Sequence, residues 1–309
     1  MSRAALVAIL GATAVGKTER SIILAERLGG EIVSADSRLL YRGMDIGTAK
    51  PSPEARRRVP HHLIDVAEPG ETWSLAEFRR AALAAIAEIQ SNGRLAFLVG
   101  GTGQYVTAVL RGWSPPPRPV DDTLRRDLEA LAHDRGATAL HERLRQVDPA
   151  SADRIDPRNV RRVIRALEIA SVTGKTPSDL RVAKPPPFRV LRIGFTLPRP
   201  ELFGRIDARI DAMLEQGWVD EVRRLLAAGV SPSLPSMSAI GYRSLAGYIA
   251  GQTSLEAAVQ EIRRASRVLV RRQANWFKAG DATITWFESR PGVEDAVEAK
   301  IRTWLDQPD

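Results

Sequence analysis

The stretch "LVAILGATAVGKTERS", residues 6 to 21, decides the fold class. An apolar run leads into Gly11, and Gly16-Lys17-Thr18 follows at the spacing G-x-x-x-x-G-K-[ST] of a phosphate-binding loop. The backbone N–H groups of such a loop and the N-terminus of the next helix bind phosphate oxygens. Lys17 adds a cation, and Thr18 is placed to ligate Mg²⁺. A coincidental turn is the alternative, which the strand before the loop and the helix after it disfavour.

Short apolar runs alternate with amphipathic helices along most of the chain. Strands are predicted at residues 4–10, 31–36, 94–102, 189–197 and 283–287. Ser74 and Glu77 have the capping-box spacing that begins a long helix before the third of these strands. Strands that alternate with helices predict an α/β fold with a parallel sheet flanked by helices.

Two proline-rich stretches border a segment that carries only helical patterns. They are "WSPPPRP" at 113–119 and "KPPPF" at 184–188, and the patterns between them, from 121 to about 173, are all helical. Proline-rich borders are typical of domain boundaries. The sequence therefore predicts an all-helical domain at 113–189, inserted into an α/β core formed by 1–112 and 190–309.

Composition excludes several classes of function. The chain has 309 residues, 44% of them hydrophobic, which is enough for one large or two modest domains. It has no cysteine, which excludes disulfides, thiolate metal sites and a catalytic thiol. The apolar run at 4–10 is too short to span a membrane and no signal peptide is recognisable, so we expect a soluble cytoplasmic protein. The net charge of +8 suits a polyanionic partner, although a solvated arginine-rich surface gives the same balance.

Two predicted helices present a stripe of arginines. In the helix predicted at 157–171, an apolar face lies opposite Arg158, Arg161, Arg162 and Arg165. The second stripe consists of Arg263, Arg267 and Arg271, with Arg264, Arg272 and Lys278 beside it and Trp276-Phe277 after it. A solvated face is the usual meaning of one such stripe. Two stripes with adjoining aromatic residues and few acids nearby favour a nucleic acid as the partner.

Two polar residues follow predicted strands at the edge of the sheet where ligands collect. Asp36 follows the second strand, and Thr102 follows the third. A carboxylate beside a phosphate site can act as a general base or assist Mg²⁺ binding. The alternative is that Asp36 caps the next helix.

The pair His61-His62 raises the question of a metal site. Adjacent residues rarely face one ion, and cysteine partners are absent. We therefore expect these histidines to serve packing or hydrogen bonding.

Several motifs occur in the order seen in one known family. They are "GATAVGKT", "SADSRLLYRGMDIGTAKP", "PHHLID", "LVGGTGQY", "NVRRVIRALE", "RIDARIDAMLEQGWVDEV", "SAIGYR" and "RRQANWF". On these motifs, which extend over nearly the whole chain, the sequence resembles the tRNA dimethylallyltransferases, also called tRNA isopentenylpyrophosphate transferases. The resemblance implies a fold related to P-loop kinases, with the helical insertion as the tRNA-binding domain.

The resemblance implies that dimethylallyl diphosphate gives its dimethylallyl group to N6 of the adenosine 3′ of the anticodon, releasing diphosphate. Asp36 is then similar to the family's catalytic carboxylate, which holds N6 and takes its proton. Thr102 resembles the residue near the reacting centre, and Arg209 joins Lys17 at the leaving diphosphate. The loop would hold the donor diphosphate rather than ATP, with Mg²⁺ on Thr18, through Gly11, Ala12, Thr13, Ala14, Val15, Gly16, Lys17 and Thr18.

The same resemblance implies a set of tRNA contacts. They are Asp36, Ser37, Arg38, Leu39, Thr102, Arg125, the run Arg161, Arg162, Val163, Ile164 and Arg165, and the run Ser238, Ala239, Ile240, Gly241, Tyr242 and Arg243. The family often has Gln at position 39 and a larger polar side chain at position 238, so this sequence departs from the pattern at both. The expected partners are tRNA and dimethylallyl diphosphate, with no membrane, for a monomeric enzyme that requires Mg²⁺.

Two other functions could use the same loop. A small-molecule or nucleotide kinase would bind ATP there, but a small acceptor does not need two arginine stripes. A P-loop RNA-binding switch would carry out no transfer and would not need Asp36 at the strand end. The products distinguish the three functions, since they are prenylated tRNA, ADP or neither.

Overall fold

The chain forms two compact units, one α/β and one helical. The computed structural model describes residues 4–112, 122–180 and 186–307. The α/β unit contains the described residues up to Trp73, then Phe78–Leu110, then 186–307. The helical unit contains Ser74–Glu77, 111–112 and 122–180. Within the described ranges, no helix is both long and apolar enough to cross a membrane.

The α/β unit is organised by a parallel sheet. The strands are β1 (Ala5–Gly11), β2 (Gly30–Ser34), β3 (His61–His62), β4 (Leu95–Val99), β5 (Arg189–Thr196) and β6 (Thr285–Glu288). Over the described residues their order is β3-β2-β4-β1-β5-β6, and every pairing is parallel. In the central strand, Val7 is aligned with Phe97 on β4 and with Leu191 on β5. Buried strands of this kind need the continuous apolar run seen in the sequence, and the predicted fold class is confirmed.

One strand is not predicted from the sequence. Strand β3 consists of His61 and His62, which pair with Ile32 and Val33 at the edge of the sheet. Two residues carry no detectable periodicity, so only their neighbours in space identify them as a strand.

Helices flank the sheet and make up the second unit. In chain order they are α1 (Lys17–Arg27), α2 (Pro53–Arg58), α3 (Leu75–Ser91), α4 (Gly103–Leu110), α5 (Asp122–Val147), α6 (Pro149–Ala152), α7 (Val160–Thr173), α8 (Arg199–Glu215), α9 (Trp218–Ala227), α10 (Tyr242–Ile249), α11 (Leu255–Trp276) and α12 (Val293–Leu305). The predicted capping box of α3 is confirmed: Ser74 N donates to Glu77 Oε2 at 2.6 Å, and Glu77 N donates to Ser74 Oγ at 3.2 Å.

The helical unit has its own apolar core. Non-helical dihedrals at Gly136 (φ 81°, ψ 165°) divide α5 into two helices. Its core side chains come from α5, α6 and α7, and they include Leu128, Leu140, Leu144, Ala152, Val163 and Leu167. Helix α7 begins at Val160 rather than at the predicted residue 157, because Asn159 caps it by accepting a hydrogen bond from Arg162 N. The proline-rich stretch at 113–119 lies outside the described residues, as do the first two residues of the stretch at 184–188.

Candidate active site

The phosphate-binding loop lies between β1 and α1, at the carboxyl end of the central strand. A Cβ atom on Gly11 would lie 2.5 Å from the carbonyl oxygen of Phe195 on β5, so only glycine fits there. Gly16 has a φ of 90° and leads the chain into α1. Ala14 also has a positive φ, 61°, which is an uncommon conformation for a residue with a side chain. The glycines of the motif are therefore required by the backbone geometry of the loop.

Three charged side chains interact beside the loop. Lys17 Nζ donates a hydrogen bond to the carbonyl oxygen of Ala12 at 2.7 Å. Burial lowers the pKa of Lys17 to about 8; the Asp36 carboxylate opposes this shift, and the Arg209 guanidinium adds to it. Burial also lowers the pKa of Arg209, a residue of α8, and Asp36 again opposes the shift. Two poorly hydrated cations that share the interaction with one carboxylate favour the binding of an anion.

Asp36 caps a turn instead of a helix. Its Oδ1 accepts a hydrogen bond from Arg38 N at 2.9 Å, and the next helix, α2, begins only at Pro53. Ser52 caps that helix through Ala55 N, so helix capping does not explain Asp36. Among the residues that the structure describes, no donor contacts the other carboxylate oxygen of Asp36, which leaves that oxygen available to a ligand.

Thr102 joins the loop after β4 to the segment that contains Asp36. Its Oγ1 accepts a hydrogen bond from Ser37 N at 3.1 Å, and its N–H donates to the carbonyl oxygen of Ala35 at 3.3 Å. The ends of β2 and β4 therefore bring together the two polar residues that the sequence places after these strands.

A cleft of about 670 Å³ opens beside the loop within the α/β unit. Apolar side chains, among them Ile32, Ile64 and Val99, form part of its wall. Of the predicted site residues, the lining contains Thr13, Ala14, Gly16, Lys17, Thr18, Asp36, Leu39 and Arg209. One cleft thus offers cations and loop amides to a phosphate group and apolar walls to a hydrocarbon group.

A buried carboxylate that the sequence analysis missed supports one wall of this cleft. Glu221, on α9, is 2% exposed and accepts hydrogen bonds from the N–H groups of Asp45 (2.8 Å), Ile46 (2.7 Å) and Gly47 (3.2 Å). It also accepts one from the Tyr242 hydroxyl at 2.6 Å, and burial with the Glu221 charge raises the Tyr242 pKa well above its usual range. The chain that Glu221 holds continues into Thr48, Ala49 and Pro51, which line the cleft. In the sequence, Glu221 is one of several acids on an amphipathic helix, so no local signal identifies it.

The structure brings two of the predicted tRNA-contact segments together. Arg38 Nη1 donates to the carbonyl oxygen of Pro235 at 3.1 Å, which links the turn after Asp36 to the run that begins at Ser238. In that run Ser238 is exposed, whereas Ala239 and Tyr242 are buried. The Arg243 guanidinium donates to the carbonyl oxygens of 232–234 and stabilises that turn.

In the helical unit, the predicted run at 161–165 has an exposed part and a buried part. Arg161 and Arg162 are exposed, and neither guanidinium has a partner among the described residues. Val163 and Ile164 lie in the core, so their side chains serve packing. Buried Glu168 pairs with Arg125 at 2.7 Å and lies 3.7 Å from Arg165.

The expectation that few acids accompany the second arginine stripe is wrong. On α11, Arg263 pairs with Asp211 at 2.6 Å and Arg267 with Asp207 at 2.7 Å. Arg264 pairs with Glu261 at 2.9 Å. Both aspartates belong to α8, and a pattern along α11 alone cannot reveal them. Pairing between helices therefore accounts for much of this stripe.

The adjacent histidines serve hydrogen bonding, as expected. His61 Nδ1 donates to the carbonyl oxygen of Val59, and His62 Nε2 donates to Glu31 Oε2, both at 2.7 Å. Over the described ranges, no group of three or more His, Cys, Asp and Glu residues is placed to hold a metal ion.

Comparisons with known proteins agree with this arrangement. A family model described as "IPP transferase" matches residues 39–280, and a model described as "Isopentenyl transferase" matches residues 4–61. The chain belongs to the IPP transferase family. The family expected from the sequence motifs is therefore confirmed.

Relatives of the family match over nearly the whole chain. A protein named tRNA dimethylallyltransferase from Roseiflexus sp. (strain RS-1) is 49% identical, with 97% of this chain and 99% of that protein covered. The tRNA dimethylallyltransferase of Chloroflexus aggregans is 50% identical, with 93% and 97% covered. The crystal structure of the full-length tRNA isopentenylpyrophosphate transferase from Bacillus halodurans has a TM-score of 0.70 at 43% identity, with 97% and 95% covered. A eukaryotic dimethylallyltransferase acting on tRNA has a TM-score of 0.77 at 25% identity, with 97% and 77% covered.

Proposed function

We propose that this chain is a cytoplasmic tRNA dimethylallyltransferase, which transfers the dimethylallyl group of dimethylallyl diphosphate to N6 of the adenosine 3′ of the anticodon and releases diphosphate. The observation that carries this proposal is the cleft in which Lys17, Arg209 and Asp36 share one space with apolar walls. A diphosphate ester of a short hydrocarbon has an anionic part that suits the cations and an apolar part that suits these walls. Family membership and relatives that bear this name support the same conclusion.

In the proposed mechanism, the loop amides, Lys17 and Arg209 bind the diphosphate and stabilise the charge that grows on it as it leaves. Thr18 is exposed at the start of α1, and a single hydroxyl beside phosphate oxygens suits Mg²⁺, which usually keeps several waters and few protein ligands. We infer that Thr18 holds this ion. When bound, Mg²⁺ supplies further positive charge to the leaving diphosphate.

Asp36 is the proposed general base. The N6 lone pair forms a bond to C1 of the dimethylallyl group, the bond from C1 to the diphosphate oxygen breaks, and its electron pair leaves with the diphosphate. The N6 proton goes to Oδ2 of Asp36, since Oδ1 already accepts the hydrogen bond from Arg38 N. Thr102 fixes the backbone of Ser37 and so keeps this carboxylate in place. The adenine reaches the site by flipping out of its base stack.

The tRNA contacts are proposed for exposed residues of both units. We assign the α/β unit, which the sequence predicts at 1–112 and 190–309, to the catalytic core, and the helical unit, which the sequence predicts at 113–189, to tRNA binding. Support comes from the unpaired guanidiniums of Arg161 and Arg162 within the described chain, and from the link between Arg38 and Pro235. Arg125 and Arg165 lie next to buried Glu168. We therefore expect them to position the exposed face of α7 as well as to bind tRNA. We also propose that the enzyme acts as a monomer.

One assay tests the proposed reaction. Purified protein is incubated with unmodified tRNA, dimethylallyl diphosphate and Mg²⁺, and the tRNA nucleosides are analysed by mass spectrometry. We expect a dimethylallyl adduct on adenosine without added ATP. Formation of ADP from ATP with a small acceptor would support a kinase instead, and binding of tRNA without any product would support an RNA-binding switch.

The rate should depend on pH through Lys17. Because burial lowers the Lys17 pKa to about 8, kcat/KM for the donor should fall as the pH rises through that value in the free enzyme. The kcat should stay level over the same interval, because bound diphosphate raises the Lys17 pKa again. Initial rates at limiting and saturating donor, with tRNA saturating, test this. In Lys17→Arg the guanidinium keeps its proton, so an inflection that persisted there would belong to another group.

Replacing Arg161 and Arg162 by alanine should weaken tRNA binding and lower its salt dependence. Each exposed guanidinium is proposed to contact a phosphate, so the slope of log K against log salt should fall by about one per arginine. The single-turnover rate at saturating tRNA should change much less. Lys300→Ala is the control, because this exposed cation on α12 lies outside the proposed tRNA contacts. Unchanged affinity and slope in the double variant would mean that this face is merely solvated.

A further inference from the structure

Gln273 joins the phosphate-binding loop to the end of β4. This α11 side chain is 7% exposed. Its Oε1 accepts a hydrogen bond from Thr13 N at 2.8 Å, and its Nε2 donates to the carbonyl oxygen of Gly101 at 3.1 Å. The opposite orientation of the amide would set its NH₂ against an N–H and its oxygen against a carbonyl oxygen. Thr13 N and the carbonyl oxygen of Gly101 therefore fix the side-chain amide of Gln273 in one orientation.

Gly101, which faces Gln273, leaves room for its side-chain amide. A Cβ atom on Gly101 would lie 2.3 Å from Gln273 Nε2, so glycine is needed for the amide to reach the backbone. Thr102 follows directly and holds the segment after Asp36. Gln273 thereby connects the phosphate-binding loop, proposed to hold the prenyl donor, to the end of β4, which lies next to the proposed base. Gln273 itself does not line the cleft.

The contact with Thr13 also takes one N–H group of the loop out of ligand binding. Since this N–H already donates to a buried oxygen, a phosphate oxygen can use it only by displacing Gln273. The partial negative charge of Oε1 at the start of the loop also disfavours additional anionic oxygens there. The remaining donors therefore suit a ligand with fewer phosphate groups than a nucleoside triphosphate.

We propose that Gln273 is a positioning residue that makes the loop select a diphosphate over a nucleoside triphosphate. The proposal rests on the proposed function, in which the loop holds the diphosphate of the donor. It gives a structural reason why a loop with the usual spacing for ATP accepts a different ligand in this chain.

Two substitutions test the two hydrogen bonds. Gln273→Met keeps the length of the side chain and removes both bonds, whereas Gln273→Glu keeps the acceptor for Thr13 N. Dissociation constants of inorganic diphosphate and of ATP, each with Mg²⁺, are measured by calorimetry. We expect the parent to prefer diphosphate and Gln273→Met to lose about tenfold of that preference, the usual size of one hydrogen bond to a charged group. The negative charge of Gln273→Glu should weaken the binding of both ligands without reducing the preference for diphosphate over ATP.

The ratio of the two constants is taken within each variant, so partial unfolding does not alter it. Gln260→Met, at an exposed position of the same helix, is the matched control and should keep the parental ratio. A parent without preference for diphosphate, or an unchanged ratio in Gln273→Met, would overturn the proposal even if the parent transfers the prenyl group. Failure of the parent to transfer that group would instead contradict the proposed function.

Discussion

Replacing Asp36 by asparagine should lower the rate of prenyl transfer on the order of 10²–10⁴-fold, the usual contribution of a general base. Asparagine has nearly the same shape, and its oxygen can still accept the hydrogen bond from Arg38 N that shapes the turn. It cannot take the N6 proton as a carboxylate does. Because the Asp36 charge raises the Lys17 pKa, that pKa should fall below about 8 in the variant. Donor affinity should therefore change little only at a pH well below 8, where Lys17 keeps its proton in both proteins. Affinity for tRNA should fall modestly, because the same carboxylate is proposed to hold N6.

Single-turnover prenylation with both substrates saturating measures this effect, alongside separate titrations of donor and tRNA. Asp295→Asn is the matched control, since that carboxylate lies on α12 with 77% of its side chain exposed. It should react at nearly the parental rate. If Asp36→Asn did so as well, Asp36 would not be the base, and capping of the turn would be its remaining role.

The parts of the site that sequence predicts are those that short segments specify. The loop needs Gly11 and Gly16 for backbone reasons, and an apolar strand followed by a helix is visible in the sequence around it. The rule that parallel strands end at one edge then leads to Asp36 and Thr102, which the structure joins through Ser37. These inferences require no knowledge of contacts between distant segments.

The parts that sequence does not predict depend on such contacts. Glu221 binds backbone groups 174 to 176 positions earlier in the chain, and Gln273 binds one 260 positions earlier. Asp207 and Asp211 similarly reach the arginines of α11 from another helix. In the sequence each of these residues is an ordinary polar position on an amphipathic helix. Only the packing of that helix shows that its partner is a loop or a second helix.

Replacing Lys17 by alanine should have the second large effect. The ammonium is proposed to neutralise the leaving diphosphate, and losing one preorganised donor of this kind costs about 2.7–4 kcal/mol of transition-state stabilisation, or roughly 10²–10³ in rate. Its hydrogen bond goes to the carbonyl oxygen of Ala12, while the loop glycines fix the backbone. We therefore expect the variant to fold and to bind tRNA as the parent does.

The measurement is the same single-turnover reaction without added ATP, with donor concentrations raised until the rate no longer increases. Because Lys17 acts on charge that develops during the reaction, the deficit should persist at saturating donor, whereas a purely binding role would be overcome. Lys300→Ala, at an exposed position of α12, removes the same charge elsewhere and should keep the parental rate. A parental rate in Lys17→Ala, or an absolute requirement for ATP in the parent, would contradict the assignment of this loop to the prenyl donor.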